Sequence, residues 1–254
     1  MYKIPANTVF MGKNLVFVPE CHSTNDIALQ LCQQPSTAEG TVIITANQTA
    51  GRGQRGNLWH SEPGKNLTFS CILKPNFLSV KNQFYLNIIA SLAVHDYLIE
   101  KTNARIQIKW PNDVMVNDKK IAGILIENQI QGNSHTHTVI GIGLNLNQNA
   151  FSITSATSLY QLNLRKYDLK SELNDVLHKL EAKYLQLKSG KENTLLKDYL
   201  NVMYWRNELH TFVTGYQSFE GTIVGLDDLG RLKINTNQGE RFFGMKEIQY
   251  LITH

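Results

Sequence analysis

Short apolar runs, several of them alternating with polar positions, occupy much of the first 150 residues and predict β-strands. In the clearest case Leu67, Phe69 and Cys71 alternate with Thr68 and Ser70, which predicts a strand over 67–73. Apolar and β-branched segments predict further strands at 15–18, 41–47, 106–109, 114–116, 120–128 and 139–145.

Two longer segments have the periodicity of helices. Residues 84–101 are apolar on nearly every side, which is typical of a helix buried in the centre of a domain. Residues 168–189 carry a single apolar stripe, with Asp168 as the predicted N-cap and Gly190 as the C-terminal stop. Shorter helices are predicted at 27–32 and 195–205.

From Glu208 onwards the pattern changes to short strands separated by glycine-rich turns, at 211–214, 221–225, 232–235, 240–244 and 248–251. Strands of this length and spacing predict a small β-barrel. We therefore expect an α+β fold, with a mixed sheet and helices in a first domain, 1–206, and a separate C-terminal module, 207–254.

The composition narrows the class of protein. The chain has 254 residues with 42% hydrophobic and 18% charged residues, as in ordinary soluble enzymes, and its net charge of +4 is small for a dedicated nucleic-acid-binding protein. Cys21, Cys32 and Cys71 are scattered, which argues against a disulfide framework or a zinc site. Because no signal peptide or membrane-spanning run is present, a cytoplasmic location is predicted.

Residues 51–59 read GRGQRGNLW. Three glycines let the backbone approach a ligand closely, and two interleaved arginines offer cationic forks for a carboxylate or a phosphate. With its tryptophan, this glycine loop is a candidate clamp for an anionic, partly flat ligand. Taken alone, it is better explained as a solvated turn, so the hypothesis depends on other segments.

The sequence KWPND at 109–113 packs a charge, an aromatic ring, a rigid kink, an amide and a carboxylate into one turn. Asn112 suits the edge of a base, and Asp113 suits a metal or a water. Lys120 lies at the mouth of an apolar strand, where a desolvated ammonium is a strong charge for phosphoryl oxygens. The alternative explanation of KWPND is a tight turn with a surface ion pair. The alternative for a lysine at 119 or 120 is a solvated side chain just past a hairpin, and this is what we predict for Lys119.

Gly141 and Gly143 share one face of the strand predicted at 139–145, which is typical of close approach by a ligand or by other backbone. Tight packing within the sheet explains them equally well. His135 and His137 precede this strand without a third ligand at suitable spacing, so a solvated polar turn is predicted rather than a metal site.

As a set, these motifs resemble those of biotin protein ligases, also called holocarboxylase synthetases. The matching segments are Ser23-Thr24-Asn25, Gln48, the glycine loop with Trp59, KWPND, KIAGILIE at 120–127 and GIGLNLN at 141–147. They cover roughly the first 150 residues, and KWPND together with KIAGIL is highly specific. The resemblance implies a catalytic domain similar to class II aminoacyl-tRNA synthetases and a C-terminal SH3-like domain.

The resemblance also implies a two-step reaction. The carboxylate of biotin attacks the α-phosphate of ATP, with Mg²⁺, and gives biotinyl-5′-AMP and pyrophosphate. The ε-amine of a lysine in a biotin carboxyl carrier protein then takes the biotinyl group. No enzyme nucleophile is needed, because ATP activates the acyl group. A carrier protein is the expected partner and a homodimer a possible assembly, whereas neither nucleic acid nor a membrane is expected.

Carried over position by position, the resemblance implies a role for each matching residue. The expected catalytic residues are Lys120, Arg52 and Lys109. Those expected at biotin are Ser23, Thr24, Asn25, Gln48, Gly51, Arg52, Gly53, Gln54, Lys120 and Gly123. Those expected at ATP are Arg55, Trp59, Asn112, Asp113 and Asn145, with Asp113 also the candidate Mg²⁺ ligand.

The sequence leaves two alternatives. A lipoate-type ligase shares the fold and the adenylation step, but the histidine-containing arginine and glycine segment of those enzymes is not found. A nucleic-acid-binding module would use the glycine loop and the barrel, although the chain has only one Arg/Gly cluster. The chain begins about twenty residues before Ser23, so we expect a ligase without a DNA-binding winged helix or repressor function.

One position departs from the family pattern. Many members carry arginine at the fourth position of the glycine loop, where this chain has Gln54. Because an amide lacks the charge that would hold a phosphate, we predict that Gln54→Arg slows the release of biotinyl-5′-AMP. The rate at which labelled intermediate leaves the purified enzyme measures this, and equal rates for the two proteins contradict it.

Overall fold

The computed structural model describes residues 7–252, apart from the side chain of Arg55. A seven-stranded sheet forms the centre of the larger part of the chain. Its strands are β1 Leu15–Cys21, β2 Val42–Gln48, β3 Leu67–Leu73, β4 Ile106–Lys109, β5 Asp113–Val116, β6 Lys119–Gln131 and β7 Ser134–Leu144. Their order is β1-β2-β3-β7-β6-β5-β4, with β1 and β2 parallel and the remaining pairs antiparallel.

Helices cover both faces of this sheet. They are α1 Thr24–Leu31, α2 Phe84–Ile99, α3 Leu159–Asn163, α4 Leu169–Lys188 and α5 Glu192–Asn201. On one face α2 is buried around almost its whole circumference and packs against α4 and α5, as its sequence predicts. On the other face α1 contributes Ala28 to a smaller apolar cluster with Ile43, Ile72 and Val139.

A second sheet follows α5. Its strands are β8 Leu209–Thr214, β9 Gln217–Leu226, β10 Leu232–Thr236, β11 Gly239–Phe243 and β12 Gln249–Tyr250. They pair antiparallel in the order β11-β10-β9-β8-β12. The α+β prediction is thus confirmed, with a mixed, helix-covered sheet and a separate small sheet. An SH3-like class and a boundary between 206 and 207 stay predictions.

The structure corrects two local predictions. The helix expected at 195–205 spans Glu192–Asn201. His135 and His137, expected in a solvated polar turn, lie within β7, and His135 is only 1% exposed. The hairpin between β6 and β7 continues to its tip, so backbone pairing carries polar side chains into the sheet.

No helix among residues 7–252 combines the length and the hydropathy needed to cross a bilayer.

Candidate active site

A cavity of about 280 Å³ opens on the face of the large sheet that carries α1. Its walls come from the start of α1, the glycine loop, the turn between β4 and β5, and β12 of the small sheet, while β6 and β7 supply the floor. Segments far apart in sequence therefore meet here, and each wall brings a different chemistry.

One end of the cavity is polar and uncharged. It is formed where β1 ends and α1 begins, and Ser23, Thr24 and Asn25 at the start of this helix line the cavity. The backbone N–H of Thr24 donates to Gln48 Oε1 at 2.9 Å. Ser70, fully buried in β3, donates to Thr24 Oγ1 at 2.7 Å and lies 2.6 Å from Asn25 Oδ1. These bonds hold donors and acceptors at defined positions for a neutral polar ligand group.

The glycine loop forms a small hairpin over the cavity, closed by the hydrogen bond from Trp59 N–H to Gly51 O at 2.8 Å. Gly51 must lack a side chain, since a Cβ there would lie 2.4 Å from the carbonyl oxygen of Trp59. Gln54 approaches the small sheet, with its Nε2 3.9 Å from Met245 Sδ. The loop is thereby fixed at its base and touches the C-terminal module at its tip.

Arg52 is engaged by two carboxylates. Its Nη2 lies 2.5 Å from Asp26 Oδ1 and 3.0 Å from Glu127 Oε2. Glu127 also accepts a hydrogen bond of 2.7 Å from Asn25 Nδ2. The network ties the loop to α1 and β6, and an anionic ligand would compete with these carboxylates for the guanidinium.

The floor of the cavity is a row of glycines. The indole of Trp59 lies so close to β6 and β7 that a Cβ at Gly143 would be 2.3 Å from the ring, and a Cβ at Gly123 would be 3.1 Å away. A Cβ at Gly141 would be 2.2 Å from Asn25 Oδ1. The indole N–H is buried without a hydrogen-bond partner among the described residues. The glycine face thus permits side chains to approach the backbone of β6 and β7 closely, and Asn25 and Trp59 do so.

The opposite end of the cavity is charged. Lys120 Nζ lies 2.7 Å from Asp113 Oδ1, and Lys109 faces Asp113 across the β4–β5 pair. Burial lowers the pKa of the Lys109 ammonium below its usual value, and the nearby Asp113 carboxylate opposes that shift. Asn112 fastens this turn to β6, because its side-chain Nδ2 donates to Ile124 O and its backbone carbonyl accepts from Ile124 N–H.

Most of the residues predicted for the site line this one cavity. They are Ser23, Thr24, Asn25, Gln48, Arg52, Gly53, Gln54, Trp59, Lys109, Asn112, Asp113, Lys120 and Gly123. Gly51 and Asn145 do not line it, since Gly51 lies at the base of the loop and the amide of Asn145 donates to Thr157 O at 3.0 Å. The side chain of Arg55 lies outside what the structure describes.

Sequence reasoning missed several residues of the site. Asp26 directly follows Ser23-Thr24-Asn25 and Glu127 is the last residue of KIAGILIE, and their charge beside a loop arginine was an available signal. Ile248, Gln249 and Tyr250 line the cavity from the small sheet. Nothing in the local pattern of these three indicates a ligand site.

The fold and the cavity together define a class of protein: an α+β enzyme whose cleft joins a neutral polar end to a cationic end beneath a glycine-rich loop. The family model described as "Biotin/lipoate A/B protein ligase family" matches residues 18–145. The chain belongs to this family.

Individual relatives extend over most of the chain. It is 30% identical to the bifunctional ligase/repressor BirA of Bacillus subtilis, over 91% of this chain and 72% of that protein. It is also 30% identical to the biotin--[acetyl-CoA-carboxylase] ligase of Mycobacterium tuberculosis, over 87% and 82% respectively. Among solved structures, biotin protein ligase from Aquifex aeolicus in complex with biotin and ATP is similar with a TM-score of 0.78 and 29% identity, covering 93% of this chain and 98% of that one.

The contact between Trp59 and Gly143 gives a prediction. Alanine at 143 must push the indole off the sheet, and because a half-buried side chain can move, the loss in unfolding free energy should stay below about 3 kcal/mol. We expect Trp59 to become more accessible to acrylamide in Gly143→Ala. Fluorescence quenching measures this, with the contribution of Trp59 isolated by subtracting matched Trp59→Phe proteins. Unchanged quenching would show that the ring does not rest on Gly143.

Proposed function

We propose that this protein is an ATP-dependent biotin–protein ligase. It adenylates biotin to biotinyl-5′-AMP, releasing pyrophosphate, and then transfers the biotinyl group to a lysine of a biotin carboxyl carrier protein, releasing AMP. The biotin protein ligase of Aquifex aeolicus, whose complex with biotin and ATP has been solved, supports this assignment through its likeness over almost the whole chain.

The observation that carries the proposal is the division of one cavity's lining between the uncharged polar side chains of Ser23, Thr24 and Gln48 and the cations Arg52, Lys109 and Lys120. Biotin has the same division, since its ureido ring is neutral and its carboxylate is anionic. The ureido ring would meet Ser23, Thr24 and Gln48, while Arg52 and Gly53 would lie beside the carboxylate. Asn25, Gln54 and Gly123 complete the proposed biotin contacts. Gly51, which does not line the cavity, would serve the site by letting the base of the glycine loop pack against Trp59 and Gln48.

The charged end suits the nucleotide. Asn112 and Trp59 would surround the adenosine, with Arg55 as a further contact. Asn145, which does not line the cavity, would reach the adenosine only after its bond to Thr157 O breaks. Lys109 and Lys120 would stabilise the negative charge that develops when the carboxylate of biotin attacks the α-phosphorus and pyrophosphate leaves. Holding the two anions side by side supplies much of the remaining rate acceleration, because the reaction becomes effectively intramolecular.

A divalent cation fits this site as part of the nucleotide substrate. Among residues 7–252 no cluster of three or more His, Cys, Asp or Glu side chains could enclose a metal. Mg²⁺ usually binds through one or two carboxylates together with substrate phosphates. Asp113 provides one such carboxylate beside both lysines, so it would hold the Mg²⁺ that arrives with ATP.

The second step needs an acceptor amine rather than an enzyme nucleophile. A carrier-domain lysine attacks the acyl carbon of the mixed anhydride and forms the amide bond. A carrier protein is therefore the proposed partner.

A homodimer, a cytoplasmic location and the absence of nucleic-acid binding stay predictions, which sedimentation, cell fractionation and salt-dependent binding to DNA and RNA can test.

The function is tested by mixing the protein with biotin, MgATP and a biotin carboxyl carrier domain. We expect the mass of the acceptor to rise by one biotinyl group. Parallel reactions omit ATP, replace the acceptor lysine by arginine, or supply lipoate in place of biotin. A mass increase with lipoate alone would assign the chain to the lipoate branch of its family, and no transfer with either acid would overturn the proposal.

A second test concerns Lys120. Its Nζ pairs with Asp113 at the charged end, so Lys120→Ala removes a preorganised cation from the reacting phosphate. Biotin-dependent pyrophosphate exchange should fall on the order of a hundredfold or more. Lys119→Ala is the matched control, since the neighbouring lysine is exposed and its loss should leave exchange unchanged. Near wild-type exchange in folded Lys120→Ala would refute the role of Lys120.

A further inference from the structure

Tyr250 lies between the small sheet and the cavity. It pairs with Phe212 in the β12–β8 register, and its ring centroid lies 5.4 Å from those of Phe212 and Trp205. The ring of Tyr204 is 6.3 Å away. Contacts with three aromatic neighbours hold the Tyr250 ring in one orientation.

The same ring contacts the charged end of the cavity. Lys109 Nζ lies 4.8 Å from the centroid of Tyr250, within the range of a cation–π interaction. Lys120 has the Asp113 carboxylate at 2.7 Å, whereas no carboxylate among the described residues lies within 4.0 Å of Lys109 Nζ. The aromatic face, together with the more distant Asp113 carboxylate, thus offsets the cost of burying the Lys109 ammonium.

Two further observations describe the contact between the small sheet and the charged end of the cavity. The indole N–H of Trp110, next to Lys109, donates to Gly230 O at 3.0 Å, so the turn between β4 and β5 is tied to the small sheet at a second point. The Tyr250 hydroxyl is buried without a hydrogen-bond partner in the described part of the chain. The ring of Tyr250, and not its hydroxyl, therefore makes the contact with the lysine.

We infer that Tyr250 is a positioning residue for adenylation: its ring holds the Lys109 ammonium at the phosphate end of the cavity, so the C-terminal sheet completes the nucleotide site. The inference rests on the proposed function, because it takes Lys109 as a phosphate-binding group. It gives the small sheet a part in the first chemical step, which no motif of that sheet indicates.

Substitutions at Tyr250 separate the ring from the hydroxyl. Tyr250→Leu removes the aromatic face, and we expect the KM for MgATP to rise about tenfold in biotin-dependent pyrophosphate exchange while the KM for biotin stays unchanged. Tyr250→Phe keeps the ring and removes only the unpartnered hydroxyl, so its KM for MgATP should match that of the wild type.

Phe243→Leu is the matched control. It truncates a buried ring of the same small sheet, which stacks on Phe219 with 5.5 Å between centroids and is not one of the rings that hold Tyr250. Thermal unfolding should show a loss of stability comparable with that of Tyr250→Leu, with the KM for MgATP unchanged. If Tyr250→Leu and Phe243→Leu give the same KM for MgATP, or if Tyr250→Phe is as impaired as Tyr250→Leu, the inference is overturned.

A double-mutant cycle with Lys109→Met tests the pair directly. In the Lys109→Met background, Tyr250→Leu should no longer change the Kd for MgATP measured by calorimetry. Independent, additive effects of the two substitutions would contradict the inference. Because this readout needs no biotin, it also separates the two proposals: absence of biotin-dependent exchange in the wild type overturns the function, and additivity overturns the role of Tyr250.

Discussion

The site depends on one face of the large sheet being bare. Gly123, Gly141 and Gly143 place no Cβ atoms on the floor of the cavity, and an added Cβ would meet side chains now resting there at distances down to 2.2 Å. Because the floor carries no Cβ atoms, Asn25 and Trp59 approach the backbone of β6 and β7 closely. These two side chains and the glycine floor together line the cavity between α1 and the glycine loop.

The cations around this floor are held in different ways. Arg52 is shared between Asp26 and Glu127, in ion pairs whose side chains are partly solvated and so contribute only about 0–1 kcal/mol each. Such pairs orient the glycine loop without locking it, which leaves the guanidinium available to an incoming anion. Lys120 has a carboxylate partner and Lys109 an aromatic one, so the charged end is assembled before any phosphate arrives.

The features that the sequence predicted correctly are those that depend on residues close together in the chain. The buried helix α2, the N-cap of α4 at Asp168 and the common face of Gly141 and Gly143 all follow from periodicity or local side-chain chemistry. The strand at His135 was not foreseen, because backbone pairing with β6 overrides the polarity of its side chains. Tyr250 was missed because its two-residue strand has no periodicity to detect.

The sequence by itself determined the α+β class, the motifs that carry the chemistry and the elements on which they lie, since these depend on short-range patterns of polarity and on turn-forming residues. Only the tertiary structure decided which charges meet. The pairing of Arg52 with Asp26 and Glu127, and of Lys109 with the ring of Tyr250, joins residues from separate elements. Their contact results from strand order and helix packing, which no local pattern encodes.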